Sequence, residues 1–134
     1  EKIREFKAAA RVAVADQVIF FRDDYFRKFA QDGRIICPIT GEFLLKNECH
    51  VDHHPESFDL IVEKFLKENY IDLDKIKIIG FGDNEMWREF EDEKVSESFA
   101  AFHRAIASLR VISVKANLQK SKSLAPSLDT SPIP

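Results

Sequence analysis

Two stretches of the chain gather side chains that can do chemistry in water. One is Cys49-His50-Val51-Asp52-His53-His54, and the other runs from Leu109 to Lys120 and carries Arg110, Lys115, Asn117 and Lys120. The first sets one carboxylate beside imidazoles at the end of a short apolar segment. A carboxylate oxygen suits a hard divalent cation. A neutral imidazole, with an ordinary pKa of about 6.5, can take a proton from water at neutral pH. In the second stretch the lysines have no acidic neighbour, which suits them to phosphate. Each stretch also has a plain reading. Asp52 can be a turn residue at a strand end, Asn117 can cap a helix, and a basic helical end is often only a solvated face.

Those residues need elements to hold them. Ile3, Phe6, Ala10, Val14, Val18, Phe21, Tyr25 and Phe29 recur at helical spacing, which predicts one long helix over 2–31, ended by Asp32-Gly33. Arg34-Ile35-Ile36 and Phe43-Leu44-Leu45 flank Cys37-Pro38-Ile39-Thr40-Gly41 and read as a hairpin. Lys46-Asn47 is the next turn, and Glu48 to Asp52 is a strand. On a regular strand His50 shares a face with Asp52, as a further ligand, a phosphate contact or a packed residue. His54 precedes Pro55 and shapes the turn.

Pro55-Glu56-Ser57 opens a second helix whose stripe is Phe58, Ile61, Val62, Phe65, Leu66 and Tyr70. Lys75 to Ile79 alternates like a short strand. Gly80-Phe81-Gly82-Asp83 reads as a turn, with Asp83 capping a short helix that bears Trp87 and Phe90. Val95, Phe99, Phe102 and Ile106 mark a further helix. Ser108 to Ser113 reads as a strand and Val114 to about Lys122 as the terminal helix. The organisation expected is a single domain over 1–120. It comprises a scaffold helix (1–33), a hairpin and first strand (34–54), a helical insertion (55–107) and a second strand with its helix (108–120). A flexible tail, 121–134, is rich in Ser and Pro.

Together the two chemical stretches resemble the two halves of an HNH nuclease site. An Asp-His pair ends one strand, and a second strand, Leu109-Arg110-Val111-Ile112, runs into a helix carrying Asn117 and Lys120. The likeness covers 37–54 and 103–121. It implies an α+β fold with a ββα-metal core, preceded by the long N-terminal helix and with the helical insertion between its two strands. Asp52 and Asn117 would be the metal ligands, for Mg²⁺, Mn²⁺ or another divalent cation. His53 would be the general base and Lys120 a catalytic donor to a non-bridging phosphate oxygen. Arg110, Lys115 and Lys120 would meet the DNA backbone.

His50 and His103 are secondary candidates, the latter because relatives carry a similar Phe-His segment. Ser108 is another, standing where many members place an Asn that pins the loop between the strands. The activity implied is hydrolysis of DNA phosphodiester bonds. An inactive nucleic-acid-binding or assembly module on the same fold is the alternative, and a different single-metal enzyme or a plain interaction domain is the third class. Many HNH domains also fold around a zinc held by two Cys-x-x-Cys pairs. Here Cys37 stands with Thr40, Ser113 and Ala116 in the other three places. One thiolate cannot hold a tetrahedral zinc, so no structural zinc is expected. Cys49 is expected to be buried in its strand.

Composition bounds the rest. The 134 residues carry a net charge of −3, but residues 100–134 hold five basic side chains against one acidic, beside the second half of the proposed site. Twelve Phe predict a core filled with rings. No apolar run is long enough to cross a bilayer, so no membrane partner is expected. Two cysteines cannot make a disulfide framework, which points to a reducing cytoplasm. The chain lacks a signal-peptide pattern and an initial Met, as a fragment or trimmed segment would. Cutting both DNA strands would take a homodimer or a second visit.

Overall fold

The structure, a computed structural model, describes residues 1–81 and 87–124. Helix and strand are mixed in an α+β arrangement. The helices are α1 (Lys2–Ala13), α2 (Ala15–Phe29), α3 (Phe58–Glu68), α4 (Glu93–Ile106) and α5 (Val114–Leu124). The strands are β1 (Arg34–Ile36), β2 (Phe43–Leu45), β3 (Cys49–His53), β4 (Ile78–Phe81), β5 (Trp87–Phe90) and β6 (Leu109–Ser113). They pair as three two-stranded sheets, β1–β2, β3–β6 and β4–β5. The chain forms two compact units, each discontinuous in sequence. The first holds Glu1–Phe20 and His53–Ser108, and the second holds Phe21–Asp52 and the chain from Leu109 onward.

The first unit is built on rings. Phe6, Ala9, Ala10 and Val14 from α1 join Phe58, Ile61, Val62 and Phe65 from α3, Phe90 from β5 and Phe99 from α4 in one buried cluster. Phe99 meets Phe65 edge-on at 5.1 Å and Phe58 at 5.9 Å, and Phe90 meets Phe6 at 4.8 Å. Such edge-to-face contacts add to what area burial alone provides. Ser57 caps α3 by accepting from the Leu60 amide at 3.1 Å, and Asp92 caps α4 by accepting from Lys94 at 2.9 Å. Pro55 and Glu56 thus precede the helix that the sequence predicts them to open.

Three expectations need correction here. The predicted helix over 2–31 is two helices, parted at Val14, whose φ and ψ of −112° and 8° leave the helical region. The packing partners change further along, within α2. Phe6 to Val18 belong to the first unit's core, whereas Phe21, Tyr25 and Phe26 pack in the second unit's. An uninterrupted apolar stripe hides such a change of allegiance. Trp87 and Phe90 lie on a strand instead of a helix, with Ile78 opposite Phe90 and Phe81 opposite Trp87 in an antiparallel pair. A spacing of three fits either element, and pairing with β4 decides it. The expected strand at 75–79 begins three residues later, after a 3₁₀ turn over Leu73–Lys75.

The second unit is built on a hairpin and a strand pair. β1 and β2 are antiparallel in the register Arg34↔Leu45, Ile35↔Leu44, Ile36↔Phe43. The connection from α2 is a tight turn in which Gln31 and Arg34 exchange both backbone hydrogen bonds, at 2.9 and 3.1 Å. Its central residues, Asp32 and Gly33, have φ of 54° and 77°, the pair of positive values a type I′ turn requires. The core holds Phe26, Ile35, Cys37, Leu44, Cys49, Val111, Ile112 and Ala116. Helix α5 follows β6 directly and runs to Leu124, so 121–124 of the expected tail are helical. The rest of that tail, 125–134, and the reading of Asp83 as a cap lie outside the described residues. Among the described residues no helix is long and apolar enough to cross a membrane.

Candidate active site

Strand β3 and helix α5 each present two candidate residues on one face. His50 and Asp52 are two apart on a strand, and Asn117 and Lys120 are three apart on a helix, so each pair points the same way. The faces meet through two contacts. Asn117 Nδ2 donates to His50 Nδ1 at 2.9 Å, and Lys120 Nζ donates to Asp52 Oδ1 at 2.7 Å. A third comes from β6, where Arg110 Nε donates to Asp52 Oδ2 at 2.9 Å. Residues far apart in the chain therefore gather in the second unit.

The Asp52 carboxylate is 7% exposed. Burial pushes its pKa up, but the Lys120 ammonium and Arg110 guanidinium outweigh that, and the group is held below the ordinary carboxylate value. It stays ionised at neutral pH. The ammonium has three donors and the guanidinium five, so both keep capacity for a further acceptor. Lys115 is exposed on the same helix.

The imidazoles of the first unit stand in a different setting. His53 Nε2 lies 2.8 Å from His103 Nε2, and His103 Nδ1 lies 2.7 Å from Gln17 Oε1. Gln17 Nε2 in turn donates to the Ala100 carbonyl at 2.9 Å. Phe58 approaches the His53 ring at 5.1 Å, and Phe99 approaches His103 at 6.2 Å. His103 is 1% exposed. Burial first, then the charge of Arg104, lowers its pKa, so it is neutral at pH 7. The backbone carbonyl of Ser108 accepts from the His54 amide at 3.0 Å, and both side chains are exposed.

The positions that the family resemblance assigns to zinc thiolates also come together. Cys37 Sγ accepts from the Thr40 amide at 3.5 Å and from the Ser113 amide at 3.4 Å, and Ser113 Oγ accepts from the Ala116 amide at 2.9 Å. Burial opposes ionisation of Cys37, but the Thr40 side chain and then the neighbouring backbone amides prevail, and its pKa falls to about 7. Cys49 is buried and its thiol donates to the Leu45 carbonyl at 3.4 Å. Burial pushes its pKa up to about 11.

Among the described residues no group of three or more His, Cys, Asp or Glu could hold a metal ion. The oxygens available on the β3–α5 faces are the Asp52 carboxylate and the Asn117 carbonyl, since Asn117 turns its Nδ2 to His50. One carboxylate and one amide oxygen suit a hard cation that keeps most of its water. Each carboxylate oxygen retains a second lone pair beside its cationic donor. The donor set thus fits such an ion, in competition with two positive side chains.

Sequence reasoning named Asp52, Asn117, Lys120, Arg110, His50, His53 and His103, and the structure groups the first five by contact in one unit and the last two in the other. It missed Gln17, which sits on a helix with nothing in its neighbours to distinguish it. Only the long-range contact with His103 could reveal it. It also missed that Lys120 and Arg110 converge on Asp52. In comparisons with known proteins, no family model matches the chain, and no curated protein or solved structure is significantly similar to it.

Proposed function

We propose that the protein is a metal-dependent endonuclease of the HNH type, with a ββα-metal core formed by β3, β6 and α5, hydrolysing DNA phosphodiester bonds. The observation that carries the reading is the pair of contacts between β3 and α5, His50–Asn117 and Asp52–Lys120. They bring a carboxylate, an amide and an ammonium to facing positions, the three groups that phosphoryl chemistry at one cation requires. Asp52 and Asn117 would hold Mg²⁺ or Mn²⁺. When bound, such an ion neutralises charge on the phosphate and on the departing 3′ oxygen.

His53 follows Asp52 in the chain and acts as the general base, taking a proton from the attacking water. Lys120 and Arg110 share their remaining donors with non-bridging phosphate oxygens, which stabilises the charge that grows there. Lys115, exposed on α5, extends the basic surface along the backbone. His50 orients Asn117.

One observation favours a second reading, an inactive nucleic-acid-binding or assembly module. Both oxygens of Asp52 are already bonded to cations, as in a structural ion centre. Supercoiled plasmid incubated with Mg²⁺, Mn²⁺ or EDTA separates the two. The nuclease nicks with metal and stops in EDTA. His53→Ala lowers nicking about 10²- to 10⁴-fold, the usual share of a general base, while Mn²⁺ binding by calorimetry stays nearly intact. Asp52→Ala loses both. DNA binding without nicking at any metal concentration would establish the second reading instead.

A further inference from the structure

We propose that His103 is a positioning residue for His53, which it holds, with Gln17 behind it, as the tautomer protonated at Nε2 so that the proton-accepting lone pair lies on Nδ1. Its catalytic meaning rests on the reading of His53 as a general base, whereas the tautomer follows from the contacts within the first unit.

Two ring nitrogens 2.8 Å apart share one proton. With none between them their lone pairs repel, and with two their hydrogens collide. The far side of His103 decides which ring donates. Gln17 Nε2 is committed to the Ala100 carbonyl, so Oε1 is the atom turned toward His103. A carbonyl oxygen only accepts, and His103 Nδ1 must therefore carry the hydrogen. Neutral His103 then has its lone pair on Nε2, and His53 must donate to it through its own Nε2. The burial of His103 and its lowered pKa agree with the neutral form.

The chain Ala100 carbonyl, Gln17, His103, His53 fixes direction at every link. Phe58 and Phe99 wall the two rings, which restricts how far either can turn.

The test uses the ¹⁵N-labelled chain, the ring nitrogens read by long-range proton–nitrogen correlation where the rings are neutral, and plasmid nicking in parallel. Wild type is expected to show His53 as a single Nε2–H form and His103 as a single Nδ1–H form. His103→Ala lets His53 exchange between tautomers and lowers nicking on the order of 10- to 100-fold, as loss of a group that orients a reactive imidazole does. His103→Gln, whose carbonyl can accept from His53, restores part of both. Gln17→Met redistributes the proton on His103, and with it that on His53, without emptying the buried site. A wild-type His53 protonated at Nδ1, or a His53 signature unchanged in His103→Ala and Gln17→Met, overturns the inference. If wild type does not nick, the nuclease reading falls, and the spectra still decide this one.

Discussion

Phe99 and Asp52 are both buried, one in each compact unit, and their surroundings have little in common. Around Phe99 are Phe58 and Phe65, packed edge-on, and the tilted ring of neutral His103, with no charge among them. Around Asp52 are an ammonium and a guanidinium that satisfy both carboxylate oxygens. One of the three points at which the chain passes between the units is the peptide bond joining Asp52 to His53. His53 and Asp52, neighbours in the chain, are therefore held by different surroundings. Rings hold a group by shape, whatever the pH or salt. Ion pairs hold one by charge, and they can be rearranged by a charged ligand.

The comparison breaks first at Phe99. Phe99→Ala removes a ring that is 0% exposed, and the loss of stability is about 4 kcal/mol by urea titration, the same at low and high salt. A loss near 1 kcal/mol would show that the first unit does not depend on its rings.

Asp52→Asn is expected to cost about 3 kcal/mol, because it leaves two cations partly buried without their partner. Its pH dependence sharpens the contrast. The folded pKa of Asp52 lies below the ordinary 3.8, so its contribution is complete above about pH 4 and fades as pH falls below that. Acid melts of wild type and Asp52→Asn should therefore converge below pH 4, whereas those of wild type and Phe99→Ala should stay apart.

The two thiols of the second unit give the smallest effect, and they oppose each other. Cys37 has a folded pKa of about 7 against an ordinary 9.0, so stability rises between those pH values and is lost as pH falls through 7. Cys49 has a folded pKa of about 11, so stability declines from pH 9 to 11. Thermal melts across this range should pass through a maximum near pH 9, with each limb about 2 kcal/mol. Cys49→Ala removes the alkaline decline and keeps the rise.

The two units also differed in how far the sequence exposed them. Helices α3 and α4 carry clean stripes and polar caps, and the hairpin carries its Pro-Gly turn, so local pattern located each of them. Nothing local marks the break at Val14, since the apolar period continues across it. Trp87 and Phe90 fit helix and strand equally until β4 pairs with them. At the site, strand alternation placed His50 with Asp52, and the family resemblance singled out Asn117 and Lys120 on the terminal helix. The convergence of Arg110 and Lys120 on Asp52, 58 and 68 residues away, belongs to tertiary structure and left no trace in either segment. The same holds for Gln17 and His103, 86 residues apart.

The lone tryptophan of the chain, Trp87, lies on β5 in the first unit, with its indole Nε1 donating to Glu89 at 2.7 Å. The second unit's described fluorophore is Tyr25, stacked on Phe21 with Phe29 tilted beside it. Red-edge excitation therefore reports on the first unit's unfolding without labels, whereas far-ultraviolet ellipticity sums the helices of both units.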